Sequence, residues 1–267
     1  MRFAHLSDLH IGQTPVPGVL DDAVTIVEQI VRDVRRISEV LDFIVVSGDM
    51  TEDAELASFR QFEDLFATIG LPVYTVPGNH DGPAGYYRCL DRSETLSNWD
   101  ITSQVVELQD LRLIGIDTCI EGETTGRVDS KAMTLIERQV ARRDAPPLII
   151  VMHHPPIMPG LRDFDAVARL DGAAELHEIL RRAGTPQTIL SGHVHRPYQA
   201  RSNNAACFVA GSPTSAFTSD LPFGASPIRL KGLQDFYFVH EVDQGGRHVV
   251  TPQHYSYGNA TQVGASS

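Results

Sequence analysis

Short apolar runs recur along the chain at 3–6, 43–46, 73–76, 148–152 and 188–190. Most are rich in β-branched residues, and all are bounded by Gly, Pro or polar positions. Runs of this length predict buried strands. Two stretches of helical periodicity separate the first three. In the first, from about Leu20, Val24, Val27, Val31 and Val34 recur at helical spacing beside Ile30 and Ile37. Asp21 and Asp22 suit its N-terminal turn. In the second, Leu56, Phe59, Phe62, Phe66 and Ile69 share a face, and Gly70 and Pro72 stop it. The resulting β-α-β-α-β order implies right-handed crossovers and a largely parallel sheet.

Past residue 82 the pattern changes. Residues 82–100, with two tyrosines, Cys89 and Trp99, predict a packed irregular or helical segment, and 104–107 with 111–116 predict an antiparallel hairpin. After a loop at 117–129, Ser130 is placed to cap a helix carrying Met133, Ile136 and Val140. Asp171 is placed to cap a shorter helix carrying Leu176, Ile179 and Leu180, ending at Gly184. The Pro-rich stretch 155–170 is expected as a surface loop over the site. Short strands around 207–209 and 236–239 frame a second Pro/Ser/Gly-rich loop, 213–232. No repeat or linker divides the chain. The expectation is an α/β fold of two packed sheets with helices outside, forming one domain over 1–257 and a disordered tail at 258–267.

The chemistry lies where the apolar runs end. They are followed by Asp8-Leu9-His10, Gly48-Asp49, Gly78-Asn79-His80-Asp81, His153-His154 and Gly192-His193-Val194-His195. In open α/β sheets ligands collect beyond the carboxyl ends of the strands. Five strands delivering Asp, His and Asn to one edge therefore predict a site. One carboxylate can bridge two cations while the other ligands divide between them, which points to a two-metal hydrolase. Singly, each motif is weak: Asp-x-His triplets arise by chance, and Asn79 alone would be a turn residue. Their coincidence at five strand ends carries the reading. Gly48, Gly78 and Gly192 are expected to let the backbone turn tightly there.

The remaining histidines receive plainer readings. His5 lies inside a strand as a core residue, His154 has a structural role beside the site, His177 packs on a helix, and His240, His248 and His254 lie in a weakly patterned tail without a role. Arg162, Arg169 and Arg229 are expected at the surface.

Composition narrows the class. A chain of 267 residues with 42% hydrophobic and 21% charged residues is ordinary for a globular protein. It contains no apolar run near the ~20 residues of a membrane helix. The first strand begins almost at Met1, leaving no room for a signal peptide, so the cytoplasm is the expected location. Cys89, Cys119 and Cys207 show no paired spacing, which suits a reducing compartment. A net charge of −12 argues against a nucleic-acid polymer as partner. It leaves a small phosphate substrate open, because bound cations reverse the local sign.

In order and spacing, Asp8-x-His10, Gly48-Asp49, Gly78-Asn79-His80-Asp81, His153 and Gly192-His193-x-His195 resemble the signature set of the calcineurin-like metallophosphoesterases. With Ser7, Ser47, Pro77 and His154-Pro155-Pro156 beside them, they look most like the bacterial cyclic-nucleotide and glycerophosphodiester phosphodiesterases. The resemblance implies a four-layer αββα sandwich of two mixed sheets and two divalent or mixed-valence metal ions (Mn, Fe, Co or Zn). It assigns Asp8, His10 and His195 to the first metal, Asn79, His153 and His193 to the second, and Asp49 to both. His80, Asp49 and Asn79 become the catalytic set. His80 would hydrogen-bond the phosphate or protonate the leaving oxygen, and Asp81 would orient its ring. The implied reaction is hydrolysis of small phosphodiesters, 3′,5′-cyclic nucleotides such as cyclic AMP first and glycerophosphodiesters as the alternative. A non-catalytic scaffold and a DNA nuclease are the competing classes, and a homo-oligomer is compatible.

Overall fold

The computed structural model describes residues 1–17, 20–90, 93, 95–96, 99, 101, 104–160, 165, 168–218, 229–232 and 234–255. In the first sheet β1 (Arg2–Leu6), β2 (Phe43–Val46) and β3 (Val73–Thr75) run parallel. The late strands β14 (Phe236–Val242) and β15 (His248–His254) add antiparallel, giving the order β15-β14-β1-β2-β3. In the second sheet β5 (Arg112–Ile116), β7 (Leu148–Met152), β9 (Gln187–Ser191) and β11 (Ala205–Val209) run parallel. Its antiparallel edges are β4 (Val106–Glu107) and β10 (Tyr198–Ser202), and the order is β10-β11-β9-β7-β5-β4. Two small ribbons pair β6 (Gly126–Arg127) with β8 (Leu170–Asp171) and β12 (Ala216–Thr218) with β13 (Arg229–Gly232).

The layers follow from the two-residue period of a strand. On β7, Ile149 and Val151 join a core shared with β1, β2 and the helices α1 (Ala23–Arg36) and α2 (Leu56–Ala67). Leu148, Ile150 and Met152 point the other way, into a second core under α4 (Ser130–Val140) and α5 (Ala173–Arg181). The result is helix, sheet, sheet, helix, the four-layer arrangement expected.

Local chemistry sets the helix ends. Asp22 caps α1 by accepting from the Thr25 amide at 2.9 Å, and Arg35 and Arg36 close its last turn. The helix starts at Ala23 rather than near Leu20, and it buries Ile26 together with Val27, Val31 and Val34. On α2, Phe62 and Phe66 stack at 4.4 Å against the sheet. Residues 82–100 include α3 (Pro83–Leu90), and the buried Trp99 donates to the Thr75 carbonyl at 2.9 Å.

Several expectations change. Asp129, not Ser130, caps α4, because Ser130 is already helical and the Asp129 carboxylate accepts from Ala132 N at 2.8 Å. Asp171 is committed to β8, paired with Arg127, so Gly172 at φ 88° stands at the cap of α5. The stretch with His240, His248 and His254 forms two strands, and the fully buried His240 lies on β14 beside β1. As an edge strand half in solvent, β15 carries too little apolar alternation to be seen in the sequence. The tail at 258–267 lies outside the described residues, as do 161–164, 166–167 and 219–228 of the two loops. Arg162 falls there, and Arg169 is an exposed ion-pair partner of Asp171. Cys89, Cys119 and Cys207 are free.

Candidate metal centre

Every predicted site residue sits just past the carboxyl end of a parallel strand. Asp8 and His10 follow β1, Asp49 follows β2, Asn79 and His80 follow β3, His153 follows β7, and His193 and His195 follow β9. The backbone there is unusual. Asp8, His10, Asp49, His193 and His195 all adopt positive φ, at 54°, 47°, 50°, 72° and 50°. Side-chain-bearing residues rarely occupy this region, and each such residue costs roughly 1–3 kcal/mol unless its surroundings enforce it. The enforcement is visible. Asp8 N donates to Gly48 O at 3.0 Å, Leu9 N and His10 N both donate to Asp49 O, and Ser212 Oγ donates to Asp8 O at 2.8 Å. The strained turns lock the strand ends of the two sheets together.

Two of the glycines act through space rather than torsion. A Cβ at Gly192 would lie 1.8 Å from Ser7 Oγ and 2.3 Å from Asp8 Oδ2, and one at Gly78 would lie 2.1 Å from Asp49 Oδ1. Carboxylates occupy the volume that a side chain would need. Only Gly48 of the expected trio has a positive φ, at 99°.

The side chains converge in three overlapping groups, one of which is His10, Glu52 and His80. Asp8, His10, Asp49 and His195 offer ligand atoms within 4.8 Å of one another, and so do Asp49, His153 and His193. Asp49 belongs to both. Its Oδ2 lies 3.7 Å from His10 Nε2 and 3.3 Å from His153 Nε2, while its Oδ1 accepts from the His80 amide at 2.9 Å. Asn79 Oδ1 stands 3.2 Å from His153 Nε2, and Asp8 Oδ1 stands 3.4 Å from His195 Nε2.

Acceptor chemistry fixes the imidazole tautomers. His153 Nδ1 faces the Ser47 carbonyl at 2.9 Å, His195 Nδ1 faces the Ser215 carbonyl at 2.9 Å, and His10 Nδ1 faces the Glu52 carboxylate at 2.6 Å. A carbonyl or carboxylate only accepts, so each Nδ1 carries the hydrogen and each Nε2 turns a lone pair inward. His10 Nε2 and His195 Nε2 are then 2.9 Å apart. Two lone pairs at that separation repel unless a cation or proton stands between them. Imidazole Nε2 atoms set among carboxylate and amide oxygens are the donor set of a transition-metal pair. The residues therefore fit a dinuclear metal centre.

The electrostatics agree. Burial pushes the Asp8 carboxyl up to about 6 against the pull of His153. Burial also opposes charge on Asp49, but His153 and His10 hold it well below the usual carboxylate range. His153 is pushed up to about 9, since Asp49 outweighs burial. His10 moves up through Glu52 and Asp49 despite its burial, whereas burial beside His10 drives His195 down to about 3. Protons thus settle on the imidazoles nearest the carboxylates, where cations would otherwise sit.

Four supporting residues escaped the sequence reading: Glu52, Thr118, Ser212 and Ser215. Glu52 holds His10 Nδ1 and lies 3.5 Å from His80 Nδ1. Thr118 Oγ1 meets His154 Nδ1 at 2.8 Å, while His154 Nε2 faces the Thr124 carbonyl at 3.2 Å. Both His154 nitrogens are therefore occupied, and its ring packs 4.4 Å from that of His193. His154 has the structural role expected. Asp81 is a correction. Its carboxylate accepts from Thr51 N at 2.9 Å and Gly78 N at 2.9 Å, tying two site loops together, and Glu52 rather than Asp81 faces the His80 ring. His5 donates or accepts at Ser47 Oγ, and His177 faces the Pro156 carbonyl, both away from the cluster. The Ser212–Ser215 turn follows β11 and had only its Gly-Ser-Pro-Thr-Ser composition to mark it.

This chain belongs to the calcineurin-like phosphoesterase family, whose sequence profile matches residues 1–197. It is 27% identical over 93% of its length to the cAMP/cGMP dual specificity phosphodiesterase MT0825 of Mycobacterium tuberculosis, covering 78% of that protein. It is 25% identical over 67% of its length to the probable glycerophosphodiester phosphodiesterase GpdQ of Arcobacter nitrofigilis, spanning 66% of that relative. Purple acid phosphatase PPD1 from yellow lupin (Lupinus luteus) shares the fold, at a TM-score of 0.68 and 15% identity. The match covers 96% of this chain and 51% of the plant protein.

Proposed function

We propose that the chain is a metal-dependent phosphoric diester hydrolase acting on small diesters, with 3′,5′-cyclic nucleotides such as cyclic AMP as preferred substrates. The observation that carries this reading is Asp49, whose carboxylate stands between two imidazole groups with inward-facing lone pairs. Asp8, His10 and His195 would hold one cation and Asn79, His153 and His193 the other, with Asp49 shared. Mn, Fe, Co and Zn all suit this mixture of nitrogen and oxygen donors. Bound there, two cations would supply neutralisation of the diester charge and a more acidic water.

The chain's own residues do the rest. Asp49 takes the His80 amide on Oδ1, which fixes both residues relative to the imidazoles. His80 is 39% exposed at its side chain, with Nδ1 turned toward Glu52, so Nε2 is the atom free to meet a phosphate oxygen or protonate a departing alkoxide. Glu52 and the Ser47 and Ser215 carbonyls keep the imidazoles from rotating. The net charge of −12 favours a small substrate over a nucleic-acid polymer. Among the described residues no helix is long and apolar enough to cross a membrane. We place the protein in the cytoplasm, with 1–257 acting as one domain. The β10 and β15 edges leave room for self-association.

The second reading is glycerophosphodiester hydrolysis, favoured by the GpdQ relative. Cyclic AMP, bis(p-nitrophenyl) phosphate and glycerophosphoethanolamine, offered to the Mn-loaded protein, separate the two. Preference for monoesters over all three diesters would overturn both.

A further inference from the structure

At the other end of β9 from His193 lies a cavity of about 460 Å³, within the ~300–1,000 Å³ typical of small-molecule sites. Its origin is legible in the strand register. Across the inner face of the second sheet, Ile149 neighbours Thr188, Thr188 neighbours Ala206, and Ala206 neighbours Arg201. Side-chain volume falls at Thr188 and Ala206, so this end of the seam between the sheets is left unfilled. The β14–β15 turn, with Gly245, Gly246 and His248, closes the far side.

Two features make this more than a packing gap. First, the chain carries a net charge of −12, yet among the described residues no carboxylate lines the cavity, and two guanidinium groups do, Arg143 and Arg201. Neither forms an ion pair with a carboxylate among the described residues. Second, the floor is a ring surface: Phe208 and His248 pack with centroids 5.2 Å apart beside Ile149. No candidate metal ligand takes part.

We propose that this cavity is a second ligand site, for a nucleoside monophosphate or a small anion of the same chemistry. The guanidinium pair takes the phosphate, and the Phe208–His248 surface takes a planar ring.

The test is photolabelling of the metal-loaded protein with 8-azidoadenosine 5′-monophosphate, followed by peptide mapping. Label is expected in peptides containing Phe208 or His248. Arg201→Glu and the cavity-filling Ala206→Phe should each cut that label about tenfold or more, as expected when a charge-assisted contact is lost. Both variants should still hydrolyse bis(p-nitrophenyl) phosphate. Inorganic phosphate should compete at least tenfold more weakly than 5′-AMP. Label confined to the metal centre, no label, or label unchanged in both variants overturns the site. Phosphate competing as well as 5′-AMP overturns the nucleotide class.

Discussion

His10 Nε2 and His195 Nε2 face each other at 2.9 Å, each ring committed through Nδ1 to an acceptor. Without metal a proton must hold that contact, and His10, raised by Glu52 and Asp49 against its burial, is the ring that keeps it. Metal uptake therefore has to expel protons. Lowering the pH from 8 to 6 should weaken Mn binding and increase the protons released per metal bound, read by calorimetry in buffers of different ionisation enthalpy. Affinity independent of pH would mean that the inward nitrogens are not the ligands.

Glu52 should behave as a positioning residue for the His10 ligand. Its carboxylate fixes the His10 tautomer at 2.6 Å and lies 3.5 Å from the Nδ1 of His80, which is not a predicted ligand. Glu52→Gln keeps the size but can offer either an oxygen or an amide group to Nδ1. Metal affinity should fall ~10–100-fold, the usual cost of losing such a partner. Equilibrium dialysis against Mn measures it, with near-native circular dichroism as the control for folding.

How far this centre could be read from the sequence depends on what each residue answers to. The runs at 43–46 and 148–152 coincide with β2 and β7, because strands buried on both faces leave uninterrupted apolar text. Asp8, Asp49 and His193 were legible because a metal-binding side chain two or three residues past such a run has few other uses. Glu52 and Ser215 were not. Their partners, His10 and His195, lie 42 and 20 residues away, and only the folded loops bring them together. Local competition explains the cap errors: Asp129 and Ser130 both suit a cap, and backbone geometry chose Asp129. The β15 strand was hidden because its outward positions are exposed and its inward ones only half-buried.

Asp49→Ala and His80→Ala should fail in different ways. Asp49 Oδ2 lies 3.7 Å from His10 Nε2 and 3.3 Å from His153 Nε2, so its loss should loosen both metals together. His80 offers its ring from the rim of the site. Its replacement should leave metal content unchanged and lower turnover by ~10²–10⁴-fold, the range for a lost general acid. Metal analysis beside a rate on bis(p-nitrophenyl) phosphate distinguishes them. Two metals retained in Asp49→Ala would refute the shared ligand, and unchanged turnover across pH in His80→Ala would remove it from the reaction.

Gly192→Ala should damage the centre without replacing a ligand residue. The new methyl would overlap Ser7 Oγ and Asp8 Oδ2, and Asp8 Oδ1 and Oδ2 hold the His193 amide at 2.9 and 3.0 Å. Relief requires Asp8 to move and His193 to follow. A destabilisation of about 1–3 kcal/mol is expected, as for other overpacked sites, with weakened metal binding. Urea unfolding with and without Mn reads both, and native values for both would show that the turn yields freely.

The buried histidines of the first sheet should set an acid limit on stability that is separate from the metal centre. His240 Nδ1 and His248 Nε2 lie 2.8 Å apart, and His248 Nδ1 meets Thr188 Oγ1 at 3.1 Å. Burial drives His248 down to about 4 and His5 down to about 3, so all three rings stay neutral in the fold at neutral pH, His240 most firmly. In the unfolded chain they titrate near 6.5. Below that value the unfolded state binds more protons, so stability falls as pH drops. His248 stops contributing once pH reaches its folded value near 4. Each such proton contributes a slope of about 1.4 kcal/mol per pH unit. Urea unfolding of wild type and His248→Gln between pH 7 and 4.5 isolates this contribution, because the metal-site protons are common to both. The variant should lose up to about one proton's worth of slope. Parallel curves would mean that His248 is already protonated in the folded protein.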